Sequence, residues 1–211
     1  MTTTATPDRR QQRREAKRAV ILEQAWRLAH RDGLAAISLR ELADAVGLRQ
    51  PSLYVYFASK LDLYDAMFAD GYRQLLEFLA TRPTPKDPRR ALAKLVSDAV
   101  QFSSDDIVRH QLLFQRTIPG FEPSPDSFAL ALEFYAQASA IAAAAGVRGR
   151  TQMDMLTALV SGLAHQQVAN DPGGRRWVRL ADQVVDMLLA GIDKHPASPV
   201  SKQANPRREP A

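Results

Sequence analysis

The sequence predicts an all-α protein of about nine helices. Apolar residues recur at three-and-four spacing between Gly and Pro punctuation, no stretch sustains period-2 alternation, and no Asn-Gly or Asp-Gly turn joins two β-branched runs. A first helix is predicted from about Arg14 to His30, with Ile21, Ala25, Leu28 and Ala29 facing inward and Gly33 stopping it. A second runs from Ser38 to Gly47, a third from Gln50 to Phe57, and a fourth from behind Ser59 to about Thr81, where Arg82-Pro83-Thr84-Pro85 breaks it. Pro88 suits the first turn of a fifth helix ending near Ser103. A sixth covers Asp106–Thr117, a seventh opens at Ser124-Pro125 and ends at Gly146, an eighth spans Thr151–Asn170, and a ninth spans Arg175–Asp193. The stretch 196–211 carries four prolines and is predicted as a disordered tail.

Composition narrows the chemistry. With 211 residues, 45% hydrophobic and 24% charged, the chain is an ordinary globular one, and it has no cysteine. Disulfides, thiolate-held metals and thiol catalysis are therefore excluded. Met1–Arg10 is Thr-rich and then basic with no apolar run, so no secretory leader is expected. Phe128–Val147 is nearly long enough to span a bilayer, but it is Ala-rich with Glu133, Gln137 and Ser139 in its middle, which reads as a core helix. The expectation is a soluble cytoplasmic protein without membrane partners. The formal charge of +5 is unevenly placed: residues 1–60 hold 11 Lys and Arg against 6 Asp and Glu, and the remainder cancels. Either one end of the molecule binds phosphate or the chain has a solvated basic tail.

Residues 38–57 carry the functional signal. Ser38-Leu39-Arg40-Glu41 reads as a capping box, Gly47 sits where the chain needs a positive φ, and Leu48 returns to the core. Pro51 belongs in the first turn of the next helix, and Leu53 and Phe57 face inward four residues apart. Gln50, Ser52, Tyr54, Val55 and Tyr56 are left on the other faces of a two-turn helix. That suits a helix-turn-helix in a major groove: Gln50 can read adenine, the tyrosine hydroxyls can donate to phosphate, and Val55 can touch a thymine methyl.

The run Gly47-Leu48-Arg49-Gln50-Pro51-Ser52-Leu53-Tyr54-Val55-Tyr56-Phe57-Ala58-Ser59-Lys60, with Ile21, Ala25 and Gly33 before it and Leu63 after, resembles the signature of TetR-family transcriptional regulators over about residues 15–68. The resemblance implies a basic disordered arm (1–13), a three-helix DNA-binding domain (14–60) and an all-α body (61–195) that binds an effector and dimerises. It implies base contacts from Gln50, Pro51, Ser52 and Val55, a base or phosphate contact from Arg40, and backbone contacts from Tyr54, Tyr56 and Lys60. At Arg49 the family usually has a capping Ser. Arginine has no side-chain oxygen to cap with, so the third helix is expected to start less firmly, with a cation beside the DNA. The arm cations Arg9, Arg10, Arg13, Arg14, Lys17 and Arg18 either reach DNA or form a solvated leader that adds non-specific affinity, the latter being preferred.

For the body, the resemblance places a pocket between helices five and eight. Phe102, Leu113, Phe114, Phe134, Tyr135 and His165 are its candidate wall, His165 being the polar one, and a largely hydrophobic effector is expected. Met155, Leu159, Leu163, Leu180, Val184 and Leu188 form the stripes expected at a homodimer interface, or equally in a monomer core. The implied function is a repressor held on a pseudo-palindromic operator and released when the effector moves the fourth helix. A constitutive or architectural DNA-binding protein without effector is the alternative. No nucleophile-elbow, zincin, P-loop or dinucleotide motif is present, and the four histidines lie on separate segments. No enzyme activity, cofactor or metal is expected.

Overall fold

A computed structural model describes residues 9–194, which form nine α-helices, one 3₁₀ turn and no strand. The predicted tail and the first eight residues of the predicted arm lie outside the described residues. The helices are α1 (Arg9–Asp32), α2 (Leu39–Ala45), α3 (Gln50–Leu53), α4 (Lys60–Ala80), α5 (Pro88–Asp105), α6 (Ile107–Phe114), α7 (Pro125–Ala144), α8 (Gly149–Asn170) and α9 (Ala181–Lys194).

Most of the starts follow from caps written in the sequence. Ser38, Ser59, Asp87, Asp106 and Ser124 each accept a hydrogen bond from the backbone N–H three residues on. At α4 the box is reciprocal, since Asp62 also accepts from the Ala58 N–H. α6 ends at Phe114 rather than Thr117, and three other boundaries depart further from the predicted ones. α1 begins at Arg9, so Arg9–Arg13 belong to the helix rather than to an arm. The run is made of good helix formers, and Gln11 donates to Glu15 one turn on. α3 starts at Gln50 as predicted but is a single turn, and the chain continues as a turn in which the Tyr56 and Phe57 N–H groups both donate to the Leu53 carbonyl. The ninth helix starts only at Ala181, preceded by the 3₁₀ turn Val178–Leu180.

Two buried clusters share the molecule. The first joins α1–α4 to α6, with Ile21, Leu42, Leu53, Phe57, Leu63 and Met67 almost fully buried in it. The second joins α5, α8 and α9 through Leu92, Val96, Val100 and Val185. The first cluster does not stop at residue 60. It continues along α4 through Tyr72 and Leu75 to Leu112 and Leu113, so α4 belongs to both halves.

α7 is long and apolar enough to cross a membrane, yet little of it is buried. It is therefore not the core helix that its sequence suggests. One side packs on α4 and α5, and Phe128, Leu132 and Tyr135 stay about half exposed.

Gln167 is fully buried and explains one polar residue of α8. Its Oε1 accepts from the Trp177 and Val178 N–H groups at 2.9 and 3.3 Å, and its Nε2 donates to the Asp171 carbonyl. Gln167→Leu leaves those donors without a partner and is expected to cost about 3 kcal/mol. In urea unfolding the midpoint falls at constant slope, whereas Gln166→Leu, at an exposed neighbour, stays within about 0.5 kcal/mol.

Candidate functional site

The α2–α3 corner is built as a Schellman turn. Gly47 takes φ 68°, its N–H donates to the Asp44 carbonyl at 3.2 Å, and the Leu48 N–H donates to the Ala43 carbonyl at 2.9 Å. Ser38 caps α2 as read, but the return half of its box is replaced: the Glu41 carboxylate takes a hydrogen bond from Arg31 of α1. Leu53 and Phe57, each 1% exposed, pin α3 and the turn after it to the core.

On the outer side of this corner lie Arg40, Arg49, Gln50, Pro51, Ser52, Tyr54 and Val55. Tyr54 is 46% and Val55 64% exposed, a poor arrangement for stability and a good one for contact. Tyr56 differs from its neighbours, since its ring is half-buried against the core. Lys60 is half-buried too, its ammonium donating to the Ala35 carbonyl at 2.8 Å beside the Tyr64 ring.

Three of the cations expected in a solvated leader are instead bonded to the corner, while Arg9, Arg10 and Arg13 stay exposed. Arg14 donates to the Val55 carbonyl at 3.1 Å, Lys17 to Val46 at 2.7 Å, and Arg18 to Tyr56 at 2.8 Å while stacking on Phe57. They tie the carbonyls at the end of α2 and after α3 to the first helix. Sequence reading missed this role because the partners lie 29 to 41 residues away.

A second feature is a cavity of about 470 Å³ between α4, α5, α6, α7 and α8. Phe114, Phe134 and Tyr135 line it as expected; Phe102, Leu113 and His165 do not. On α5 the cavity face is Leu95, Val96, Ala99 and Ser103. Phe102 lies about 100° away, against Phe78 and under the Arg109 guanidinium at 3.7 Å. Leu113 instead fills the space over Gly71, where a Cβ would stand 3.0 Å from it. On α8 the face ends at Ala164, and His165 turns outward, its ring edge-on to His110 at 6.1 Å. The histidine on the wall is His110, four residues before Phe114 and so on the same face of α6, a spacing that was open to view in the sequence. Burial, with His165 nearby, pushes its pKa below the usual value. Burial also pushes the Tyr72 hydroxyl up to about 12.

The dimer stripes divide. Leu163 and Leu188 are buried in the chain's own second cluster, and Leu159, Leu180 and Val184 pack partly against it. The apolar period marks the face turned to the core, so only Met155 stays on the outside. There it shares the exposed sides of α8 and α9 with Ala158, Gly162 and Met187.

A chain of hydrogen bonds joins α1 through α4 to α6, the helix that carries His110. Trp26 Nε1 of α1 and Gln74 Nε2 both donate to Asp70 Oδ2 of α4, at 2.8 and 2.7 Å. Arg109 of α6 donates to Gln74 Oε1 at 2.8 Å and to the Phe102 carbonyl at 3.0 Å. Arg109 and His110 are consecutive, one facing this chain and the other the cavity. His30 of α1 also meets Asp106, the cap of α6, at 2.9 Å.

Residues 21–67 match the family model described as bacterial regulatory proteins, tetR family. The HTH-type transcriptional activator FasR of Mycolicibacterium smegmatis is 31% identical over 109 residues, covering 48% of this chain and 47% of FasR, so the chain matches about half the length of that relative. The regulatory protein SCO4313 shares the fold with TM-score 0.67 and 24% identity, over 88% of this chain and all of the other. FadR of Bacillus subtilis, solved in complex with stearoyl-CoA, does so with TM-score 0.60 and 19% identity, over 82% of this chain and 97% of FadR. The N-terminal helix-turn-helix segment is thus similar to that of the tetR family of bacterial regulatory proteins.

Proposed function

We propose that the chain is a dimeric, sequence-specific DNA-binding transcriptional regulator, released from a pseudo-palindromic operator by a small, largely apolar effector. The observation that carries the DNA reading is the α3 surface: Gln50, Ser52, Tyr54 and Val55 stand exposed on a corner that Leu53 and Phe57 hold rigid. Gln50 and Val55 read base edges, while Tyr54, Arg40 and Lys60 hold the backbone. Dimerisation through the exposed sides of α8 and α9, around Met155 and Met187, sets two such corners one turn of DNA apart.

The cavity favours an effector-responsive regulator over a constitutive one, because a protein that only dimerises has no use for unfilled apolar space. FadR, which has the same fold, was solved with a bound acyl-CoA, which fits this reading. An effector that displaces His110 also displaces Arg109, and through Gln74 and Asp70 it bears on Trp26 of α1. Linkage then requires DNA to weaken effector binding by the same factor. Occlusion of a promoter by the effector-free dimer gives repression; FasR is an activator, so the sign is read from transcription in vitro.

Selection of bound duplexes from a random DNA pool at near-physiological salt is expected to yield an inverted repeat, and recovery without a shared motif overturns the reading. On the recovered operator, Gln50→Ala is expected to cost about 1–3 kcal/mol and to relax preference at one base pair of each half-site. Tyr54→Phe weakens all sequences alike. Arg49 has no intramolecular cap to make. Arg49→Ala is expected to lower the slope of log affinity against log salt by about 0.9 per subunit, measured by fluorescence anisotropy between 50 and 200 mM salt, as loss of one phosphate contact.

A further inference from the structure

Three polar side chains on the cavity wall come from three different helices: Tyr72 of α4, Ser103 of α5 and His110 of α6. Each is only 5–6% exposed. Among the described residues none of the three side chains makes a hydrogen bond, and the His110 Nδ1 is buried without a partner. Unpaired buried polar groups are rare because each forfeits its hydration. The Tyr72 and His110 rings both lie against Phe114, with centroids at 6.0 and 5.4 Å from it, so they flank one region of the wall. The other polar lining residues, Tyr135, Thr157 and Ser161, are exposed. Among the described residues, no Asp, Glu, Lys or Arg lines the cavity. Of the neighbouring cations, Arg109 is turned away and committed to Gln74 and the Phe102 carbonyl, and Arg116 is exposed on an adjoining pocket in the company of Glu122.

Resting on the reading of this cavity as an effector site, we propose that Tyr72, Ser103 and His110 select a ligand with an apolar body and one neutral ester group, whose carbonyl oxygen accepts two of their hydrogen bonds and whose bridging oxygen is open to the third. A hydrocarbon leaves these groups unpaired. A free carboxylate brings a charge into a wall with no cation to meet it, and protonation of His110 as the counter-charge is opposed by burial and by His165. A neutral carbonyl needs no counter-charge and accepts two hydrogen bonds. Tyr72 is on α4, and His110 is on α6 beside Arg109. A carbonyl held by both joins the helix shared with the DNA-binding half to the helix that carries the hydrogen-bond chain.

The test uses the full chain and diphenylhexatriene, a hydrocarbon fluorophore without hydrogen-bonding groups, displaced by methyl decanoate or by decanoate at pH 7.5. The ester is expected to compete at a concentration at least about tenfold below that of the carboxylate. Tyr72→Phe and Ser103→Ala should each lower ester affinity by up to about tenfold while leaving fluorophore affinity unchanged. The unchanged fluorophore is the control for an intact cavity, and Tyr72→Phe removes a single oxygen. Equal competition by ester and carboxylate, or variants that bind the ester as the parent does, overturns the carbonyl assignment and leaves the effector site standing. Failure of the parent to bind either fluorophore or ester overturns both.

Discussion

Asp70 sits where α4 passes from one half of the molecule to the other. Before it, Leu63, Tyr64 and Met67 are buried among α1, α2 and the turn after α3; beyond it, Tyr72 and Leu75 are buried towards α6. A single carboxylate there receives Trp26 from α1 and Gln74 from its own helix, and Gln74 passes the chain on to a largely buried Arg109. Burial opposes the guanidinium charge, while Asp106, Asp105 and Asp70 support it. A well-packed apolar interface of the same size would be at least as stable. What the polar chain adds is geometry, because hydrogen bonds have directions and lengths that apolar contacts lack. The angle between α1, α4 and α6 is thereby specified, and with it the placing of the α2–α3 corner relative to the cavity.

The same logic governs the cations of α1. A helix-turn-helix has short helices, and short helices end in carbonyls with no intrahelical donor. Arg14, Lys17 and Arg18 supply donors to three such carbonyls, and Lys60 supplies one to Ala35. The concentration of positive charge in the first sixty residues therefore has a structural cause besides any attraction to phosphate. The two roles do not compete. A cation bonded to a neutral carbonyl keeps its full charge, so the corner remains electropositive while its loops are held.

The helix order, the Ser38, Ser59 and Ser124 caps and the Gly47 turn were legible because each is a local signal, decided within four or five residues. The start of α1 and the length of α3 were less so. Arg9–Arg13 carry no apolar residue to set a period, and the end of α3 lies where Leu53 and Phe57 hold the chain to the core in a turn that keeps their four-residue spacing. The cavity wall was half legible. Periodicity shows that Phe102 and Ser103, or Ala164 and His165, lie near an inward face, but not which neighbour leaves room beside it. A stripe that packs and a stripe that lines empty space look the same in sequence. Leu163 and Leu188 illustrate the converse: their stripes mark the chain's own core, leaving Met155 and Met187 outside.

The cavity also bears on stability. Interiors are ordinarily packed to the density of organic crystals, and buried polar groups are ordinarily bonded. Here an apolar space of about 470 Å³ and a buried His110 Nδ1 without a partner occur together, on helices that pack closely elsewhere. Local rules broken together at one place are the mark of a site shaped for something other than stability. A ligand that fills the space and pairs the polar groups restores what the empty wall forfeits, and the folded state gains by mass action. That gain is not uniform over the molecule. It falls on the helices that line the cavity, and of these α4 and α6 are held by Asp70, Gln74 and Arg109. A change in how α6 settles against its cavity side therefore cannot leave its Arg109 side undisturbed, since eight residues of helix offer no slack between them.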